Sequence, residues 1–346
     1  MKKIVRQVAG IDVAQKELVV TLGRMYDDWA VELYAHKVFA NTPKGLLTLV
    51  SWVNVHKDDS AAVRYVMEAT GVYHESLAYF LDNKGHEVSV ILPTKISNYF
   101  RTLEVKTITD KTASQAIARF GLERRLDKWK RPKEVFKQLR QLTRERDQLV
   151  QSRTVTKNQL HAQKAEAEPN PGSIGRLNRQ IALFNKLELE VMAAIKKISG
   201  KTGELKPTID LICTIPGVGL LTACTVLAET NGFELIRNKK QLTSYAGLDV
   251  KEKQSGTSVR GKATISKRGN RYLRKAMHMP ALAAIRHDQR FKAVFARLIS
   301  KHGIKMKAVV AVQRKLLEMI YTLFKSEKAY DKAFLQNQLQ PVDAKN

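Results

Sequence analysis

Val5-Arg6-Gln7-Val8-Ala9-Gly10-Ile11-Asp12-Val13-Ala14-Gln15-Lys16-Glu17-Leu18-Val19-Val20-Thr21-Leu22 decides the fold of the N-terminal part of this chain. Apolar and β-branched residues fill both ends of the stretch, and a short polar step separates them, the pattern of two strands joined by a turn. The strands read as Ile4–Ile11 and Glu17–Leu22. Further strands, rich in Val, Ile and Tyr, are expected at Val31–Val38, Val63–Met67 and Glu87–Leu92. Between them Thr42–Val55 and His74–Lys84 carry the spacing of amphipathic helices. Antiparallel strands followed by alternating helix and strand predict an α/β sheet domain over residues 1–128.

Beyond Pro132 the pattern changes to strong helix formers, broken only at Pro169-Asn170-Pro171-Gly172. Ile174, Leu177, Ile181, Phe184, Val191, Ile195 and Ile198 follow an a/d spacing after that turn, with Glu188 the one polar interruption. Leu139, Leu142, Leu149 and Leu160 do so more loosely before it. Residues 129–202 therefore read as a long helical hairpin, either a coiled coil suited to dimerisation or an internal bundle hairpin. Residues 203–330 read as a mainly α-helical C-terminal domain, and 331–346 as a polar tail.

The 346 residues carry 60 Lys and Arg against 33 Asp and Glu, a formal charge of +27. Such an excess attracts polyanions over long range, and nucleic acid is the most plausible one. A membrane surface is the weaker alternative, since no apolar run approaches a spanning length. Cys213 and Cys224 lie in an apolar helical region without a Cys-x-x-Cys or paired His, so they read as core thiols in a reducing compartment. Arg6, Gln7 and Asp12 interrupt any secretory h-region after Met1-Lys2-Lys3, and a cytoplasmic, nucleoid-associated protein is expected.

Three separated acids stand out. Asp12 ends the first strand run, Glu68 closes Val63-Arg64-Tyr65-Val66-Met67-Glu68, and Asp110 opens a helical stretch. Singly, each could be a turn or cap residue. Together they follow the order in which RNase H-like nucleases gather oxygen ligands around Mg²⁺, and all three are candidate metal ligands and catalytic residues. One turn after Asp110, where a second helix carboxylate would face the same ion, the chain has Ala113. Thr112 and Ser114 point elsewhere on a helix and cannot replace the charge.

The C-terminal region carries two more constellations. In Ile215-Pro216-Gly217-Val218-Gly219 the glycines permit a tight turn, and a following helix N-terminus offers free N–H groups to a phosphate, so Gly217 and Gly219 are candidate DNA contacts. A plain interhelical turn fits the same residues. In Gln254-Ser255-Gly256-Thr257-Ser258-Val259-Arg260-Gly261, a hydroxyl on a Gly-flanked loop lies near Arg260, Lys262, Lys267, Arg268 and Arg271. Such a hydroxyl can attack a phosphodiester, and the cations can equally only grip phosphates.

With Ala69-Thr70-Gly71, Tyr245-Ala246-Gly247-Leu248 and Ile265-Ser266-Lys267-Arg268-Gly269, these motifs resemble the DEDD-type insertion-sequence transposases. That family is also known as the bridge-RNA-guided recombinases and is related to pilin-gene invertases. The resemblance spans roughly residues 5–330. It implies a RuvC-like N-terminal domain, a coiled coil and a C-terminal transposase domain. It also implies Mg²⁺, a non-coding guide RNA, donor and target double-stranded DNA, and dimers pairing into a tetramer. Matched position by position, Asp12, Glu68 and Asp110 are three of the four metal-binding acids and Ser255 is the nucleophile. Ala113 stands at the fourth acid, so this chain is expected to bind nucleic acid and recombine poorly. Two other readings stay open: a junction nuclease that hydrolyses with water, and a nucleic-acid-binding protein without enzymatic activity.

Overall fold

In the computed structural model the chain divides into two compact units, Met1–Arg131 and Pro132–Asn346. The structure describes residues 2–331 apart from 104, 106, 108, 202, 204, 235, 252–253, 256–258 and 261–263; at 201, 254–255 and 259–260 it describes the backbone alone.

The first unit runs β1 (Ile4–Val13), β2 (Glu17–Tyr26), β3 (Val31–Ala40), α1 (Pro43–His56), β4 (Val63–Glu68), α2 (His74–Asn83), β5 (Glu87–Ile91), α3 (Pro93–Phe100) and α4 (Asp110–Glu123). Its five strands lie in the order β3-β2-β1-β4-β5. Antiparallel pairing joins β1, β2 and β3, whereas β4 runs parallel to β1 and β5 parallel to β4. This is the RNase H-like α/β arrangement that the sequence predicts. Four of the five strands run further than periodicity suggests, because pairing extends them: Met25 opposes Val31, and Asp12 itself pairs with Val19, while β5 stops one residue earlier, at Ile91, where Leu92 caps α3.

Side-chain alternation along the strands sorts the core into two layers. Ala9, Ile11, Val13, Tyr65 and Met67 pack with Leu46, Leu49 and Val53 of α1 and Leu77 and Leu81 of α2. Val8, Val66 and Ile91 face the other way, onto Ile96 of α3 and Ile117, Ala118 and Leu122 of α4. Gly10 permits the closest approach of the second layer. A β-carbon there would lie 2.2 Å from the Ala118 backbone nitrogen, so any larger residue would push α4 off the sheet.

The second unit opens with α5 (Glu134–Lys164) and α6 (Pro171–Lys201), which pack along one another as a hairpin. Asn170 caps the return helix, accepting hydrogen bonds from the Gly172 and Ser173 amides at 2.9 and 3.1 Å. Then follow α7 (Leu205–Cys213), α8 (Leu220–Glu229), α9 (Lys239–Tyr245) and the short strands β6 (Val250–Lys251), β7 (Gln254–Ser255), β8 (Val259–Arg260) and β9 (Thr264–Ile265). The unit ends with α10 (Arg271–Ala276), α11 (His278–His287), α12 (Gln289–His302) and α13 (Lys305–Ser326).

The hairpin is not a separate body, although its composition suggests a boundary near residue 202. Leu139, Val191 and Ile195 are buried in the same core as Ile209, Cys224, Leu273 and Leu316. The a/d interruption at Glu188 is an ion-pair position: its carboxylate takes Arg146 at 2.7 Å and also Arg153, both from α5. Cys224 is buried and Cys213 half-buried, both as free thiols. Among the described residues no helix is long and apolar enough to cross a membrane.

Candidate active site

The parallel pairing of β1 and β4 sets Gly10 beside Val66 and Ile11 beside Met67. One step further along both strands stand Asp12 and Glu68. Both share a strand face with Val8 and Val66, which pack on α4. Pleat alternation thus turns both carboxylates to the side where α4 lies. At the start of that helix is Asp110, held by a capping box in which Thr109 and Thr112 satisfy each other's backbone amides at 3.2 and 2.8 Å. Strand register and one helix start therefore gather acids that lie 56 and 42 residues apart in sequence.

Asp12 is the electrostatic link among them, affected by Asp110 and itself acting on Glu68. Burial, and after it the charge of Asp110, holds the Asp12 carboxyl above its ordinary range. Burial, and after it the charge of Asp12, raises Glu68, while a hydrogen bond from Thr70 works the other way. The ion pairs of this unit lie elsewhere, at Lys2–Asp28, Arg24–Glu32, Lys57–Asp59 and Arg64–Glu87. Among the described residues no cation pairs with these three acids.

A hard divalent cation suits such a donor set, which is all carboxylate oxygen and, among the described residues, without a cationic partner. Among the described residues no three Asp, Glu, His or Cys side chains close into a ready-made metal cage. Mg²⁺ does not need one, since one or two carboxylates with water and substrate phosphates commonly hold it. Ala113 lies half-buried on α4, one turn after Asp110, and brings no oxygen. Its neighbours are committed elsewhere, as the helix geometry predicts. Ser114 is fully buried and bonds the Thr21 hydroxyl at 2.8 Å, and Thr112 serves the cap.

In the second unit, the Ile215–Gly219 stretch is the turn between α7 and α8. Gly217 has φ +89°, and a β-carbon there would lie 2.6 Å from the Pro280 carbonyl oxygen, so this glycine serves a close approach to α11. Gly219 caps α8 with nothing within 4 Å of where a side chain would begin, which leaves that helix end open. Ser255 pairs with Val259 at the end of a two-stranded hairpin, its side chain outside the described atoms. Of Arg260 only the backbone is described, and Lys262 lies outside the described residues. Lys267, Arg268 and Arg271 are all exposed.

Residues 209–296 match the family described as "Transposase IS116/IS110/IS902 family". Residues 9–166 match the DEDD transposase family of the same insertion sequences. The chain carries the transposase domains of the IS110/IS116 family. It is 28% identical over 303 residues to the pilin gene-inverting protein of Moraxella bovis, covering 85% of this chain and 90% of that protein. It is 26% identical over 354 aligned positions to the transposase for insertion sequence element IS1111A of Coxiella burnetii, covering 94% and 91%. The Thermus thermophilus RuvC structure aligns with 36% of this chain and 99% of that one, at 12% identity and a TM-score of 0.28. The fold assignment rests on the strand order, not on that slight overlap.

The IS110/IS116 match at 209–296 contains an interaction hub that sequence reading missed. Glu229, at the end of α8, is 2% exposed. Its carboxylate accepts two hydrogen bonds from Arg144 of α5, at 2.7 and 2.8 Å, and one from Asn270 at 2.6 Å. The Tyr245 hydroxyl donates to the Glu229 carbonyl at 2.9 Å. Asn270 also caps α10, and its own amide donates to the Tyr245 carbonyl at 2.7 Å. Lys267 donates through its amide to Gly247 at 3.1 Å, and Arg274 to the Ala246 carbonyl at 2.9 Å. The stretches 245–248 and 265–269 are therefore two sides of one packed turn. The only sequence signal was a glutamate at the end of an apolar run.

Proposed function

We propose that this protein is an RNA-guided DNA transposase that cuts and rejoins strands through a serine-linked intermediate, and that Ala113 impairs the chain in that reaction. The observation that supports the enzymatic part is that Asp12 and Glu68 stand side by side on the sheet face turned to α4, with Asp110 at the start of that helix acting on Asp12, and that among the described residues none of the three has a cationic partner. Insertion-sequence transposases and a pilin gene-inverting protein among its relatives support DNA as substrate. RNA guidance and assembly of dimers into a tetramer rest on the family resemblance.

Mg²⁺ held by these carboxylates and by the phosphate would neutralise charge that develops on the scissile group. Asp12 and Glu68, fixed by strand register, and Asp110, at the start of the helix, would be the residues that hold the ion against the phosphodiester. The Ser255 hydroxyl gives up its proton and forms an O–P bond as one ester bond of the DNA breaks, releasing a strand end as a hydroxyl. A hydroxyl of the other DNA then displaces serine by the reverse step, so the ester is conserved and no external energy is consumed. Lys267, Arg268 and Arg271, with Arg260 and Lys262, grip backbone phosphates.

The experiment uses the Ala113→Asp chain, with the RNA encoded beside its gene and matching DNA. A covalent protein–DNA adduct should survive denaturation. Ser255→Ala should remove adduct and cleavage together, and Ser258→Ala should leave the adduct. Cleavage without any adduct would establish hydrolysis instead, and equal binding of an unrelated RNA of the same length at physiological salt would overturn RNA guidance.

A further inference from the structure

The N-terminal unit has a second charged feature at the opposite end of its sheet. A cleft of about 250 Å³ lies where β1, β4 and β5 meet the C-terminal end of α4, lined by Arg6, Gln7, Arg64, Glu87, Arg124 and Arg125. Four arginines and one glutamate are thus among its lining residues. Glu87 is already held by Arg64, at 2.8 and 3.1 Å. Gln7 is fully engaged in the fold, bonding the backbone of Asp58 and Ala61 at 2.6–2.9 Å.

Two of the arginines are locked and two are open. Arg6 donates to the Leu122 carbonyl at 2.7 Å, and Arg64 to the Leu126 carbonyl at 2.9 Å. Each bond fixes a guanidinium at the cleft wall with further N–H donors unspent. Arg124 and Arg125 are exposed and, among the described residues, have no carboxylate partner. An arginine at a helix C-terminus is ordinarily explained by the helix dipole. That accounts for Arg124 and Arg125, and the bond of Arg6 to a last-turn carbonyl adds a third cation to the same helix end, while Arg64, paired with Glu87, brings a fourth from a second strand to the same cleft. With Glu87 taken by Arg64, the charges of Arg6, Arg124 and Arg125 have no carboxylate partner among the described residues, and like charges gathered this way repel unless an anion joins them.

From these contacts we infer that the cleft is a binding site for the backbone phosphates of a nucleic-acid strand, separate from the acid site. Planar, pre-oriented guanidinium groups match phosphate oxygens two at a time. Six residues of β1 separate Arg6 from Asp12, about 20 Å at strand rise. Fourteen residues of α4 separate Arg124 from Asp110, about 21 Å at helix rise. A duplex rises about 3.4 Å per base pair along each strand, so the cleft lies about six base pairs from the acids. Whether the acids cleave or only bind, this site stands on its own residues.

The test compares full-length Arg124→Gln/Arg125→Gln with Lys44→Gln/Lys84→Gln, an equal loss of charge from exposed positions on α1 and beside α2. Both are titrated with a 20-base-pair RNA duplex and with a DNA duplex of the same sequence across a salt series. The arginine pair should weaken binding of one duplex about tenfold. For the DNA duplex a loss of two phosphate contacts should also flatten the dependence of log affinity on log salt by roughly 1.8. The lysine pair should change it by less than twofold. Loss confined to RNA, or to DNA, names the strand that occupies the cleft. Equal losses from both variants, or no loss from the arginine pair, would overturn the proposal. Because neither exposed arginine holds the fold together, a matching melting temperature separates lost binding from lost folding.

Discussion

The two units use buried carboxylates in opposite ways. In the first, Asp12 and Glu68 are half-buried, raised in pKa and, among the described residues, left without a cation. In the second, Glu229 is more deeply buried, yet Arg144 and Asn270 saturate it. Burial of a charge is costly in both places, and only the second unit compensates it internally. A paired carboxylate stabilises a fold. An unpaired set stores an attraction for a cation from outside the chain, the role proposed above for a divalent metal ion.

The largest test of this contrast is chemical. Ala113→Asp should raise DNA cleavage on the order of a thousandfold, about 4 kcal/mol of barrier, with little change in DNA affinity. Comparable cleavage by both forms in a single-turnover assay would mean that residue 113 does not serve the acid site. The next effect is confined to the second unit. Gly217→Ala forces a side chain at φ +89° toward the Pro280 carbonyl and should cost about 2–3 kcal/mol in urea unfolding. The first unit's transition should not move.

Arg144→Ala should cost about 2 kcal/mol. That is less than the 3–5 typical of a fully buried pair, since Arg144 is 40% exposed while Glu229 is 1% exposed at the side chain. A null result in thermal unfolding would show that Glu229 is hydrated or protonated without its partner, and the contrast between units would weaken. The smallest effect has the opposite sign. Asp12→Asn removes a repelling charge and should raise the melting temperature by roughly 1–3 °C in EDTA at pH 7, where 1 kcal/mol is worth about 2–4 °C. Folding raises the Asp12 and Glu68 pKa values, so the native state binds more protons than the unfolded chain. Stability therefore falls as pH climbs from the ordinary carboxylate range through the raised one. The gain from Asp12→Asn is full above that window and vanishes below it. A gain that persisted at low pH would place its origin in packing, not charge.

Much of this was legible in order of residues alone. All five strands of the sheet begin where the apolar runs begin, because alternation and β-branching act locally. Their far ends were less legible, since the pairing of Met25 with Val31 is a fact about two strands at once. The extra helix Pro93–Phe100 gave too short a period to register. The candidate acids were visible because each closes or opens an element, and Ala113 was visible as a gap at helical spacing.

By itself the sequence determined which segments could be strand or helix, where charge accumulated, and which motifs belong to a transposase. Each of those depends on neighbours within a few residues. Tertiary structure alone decided that Asp12 and Glu68 stand side by side facing α4, because only the β1–β4 register sets that relation. It decided that Glu229 meets Arg144, 85 residues away, and that Glu188 meets Arg146 and Arg153. It also gathered Arg6, Arg64, Arg124 and Arg125 around one cleft from three elements. Partners so distant leave no period in the chain; they meet only when sheet register and helix packing have fixed where each backbone lies.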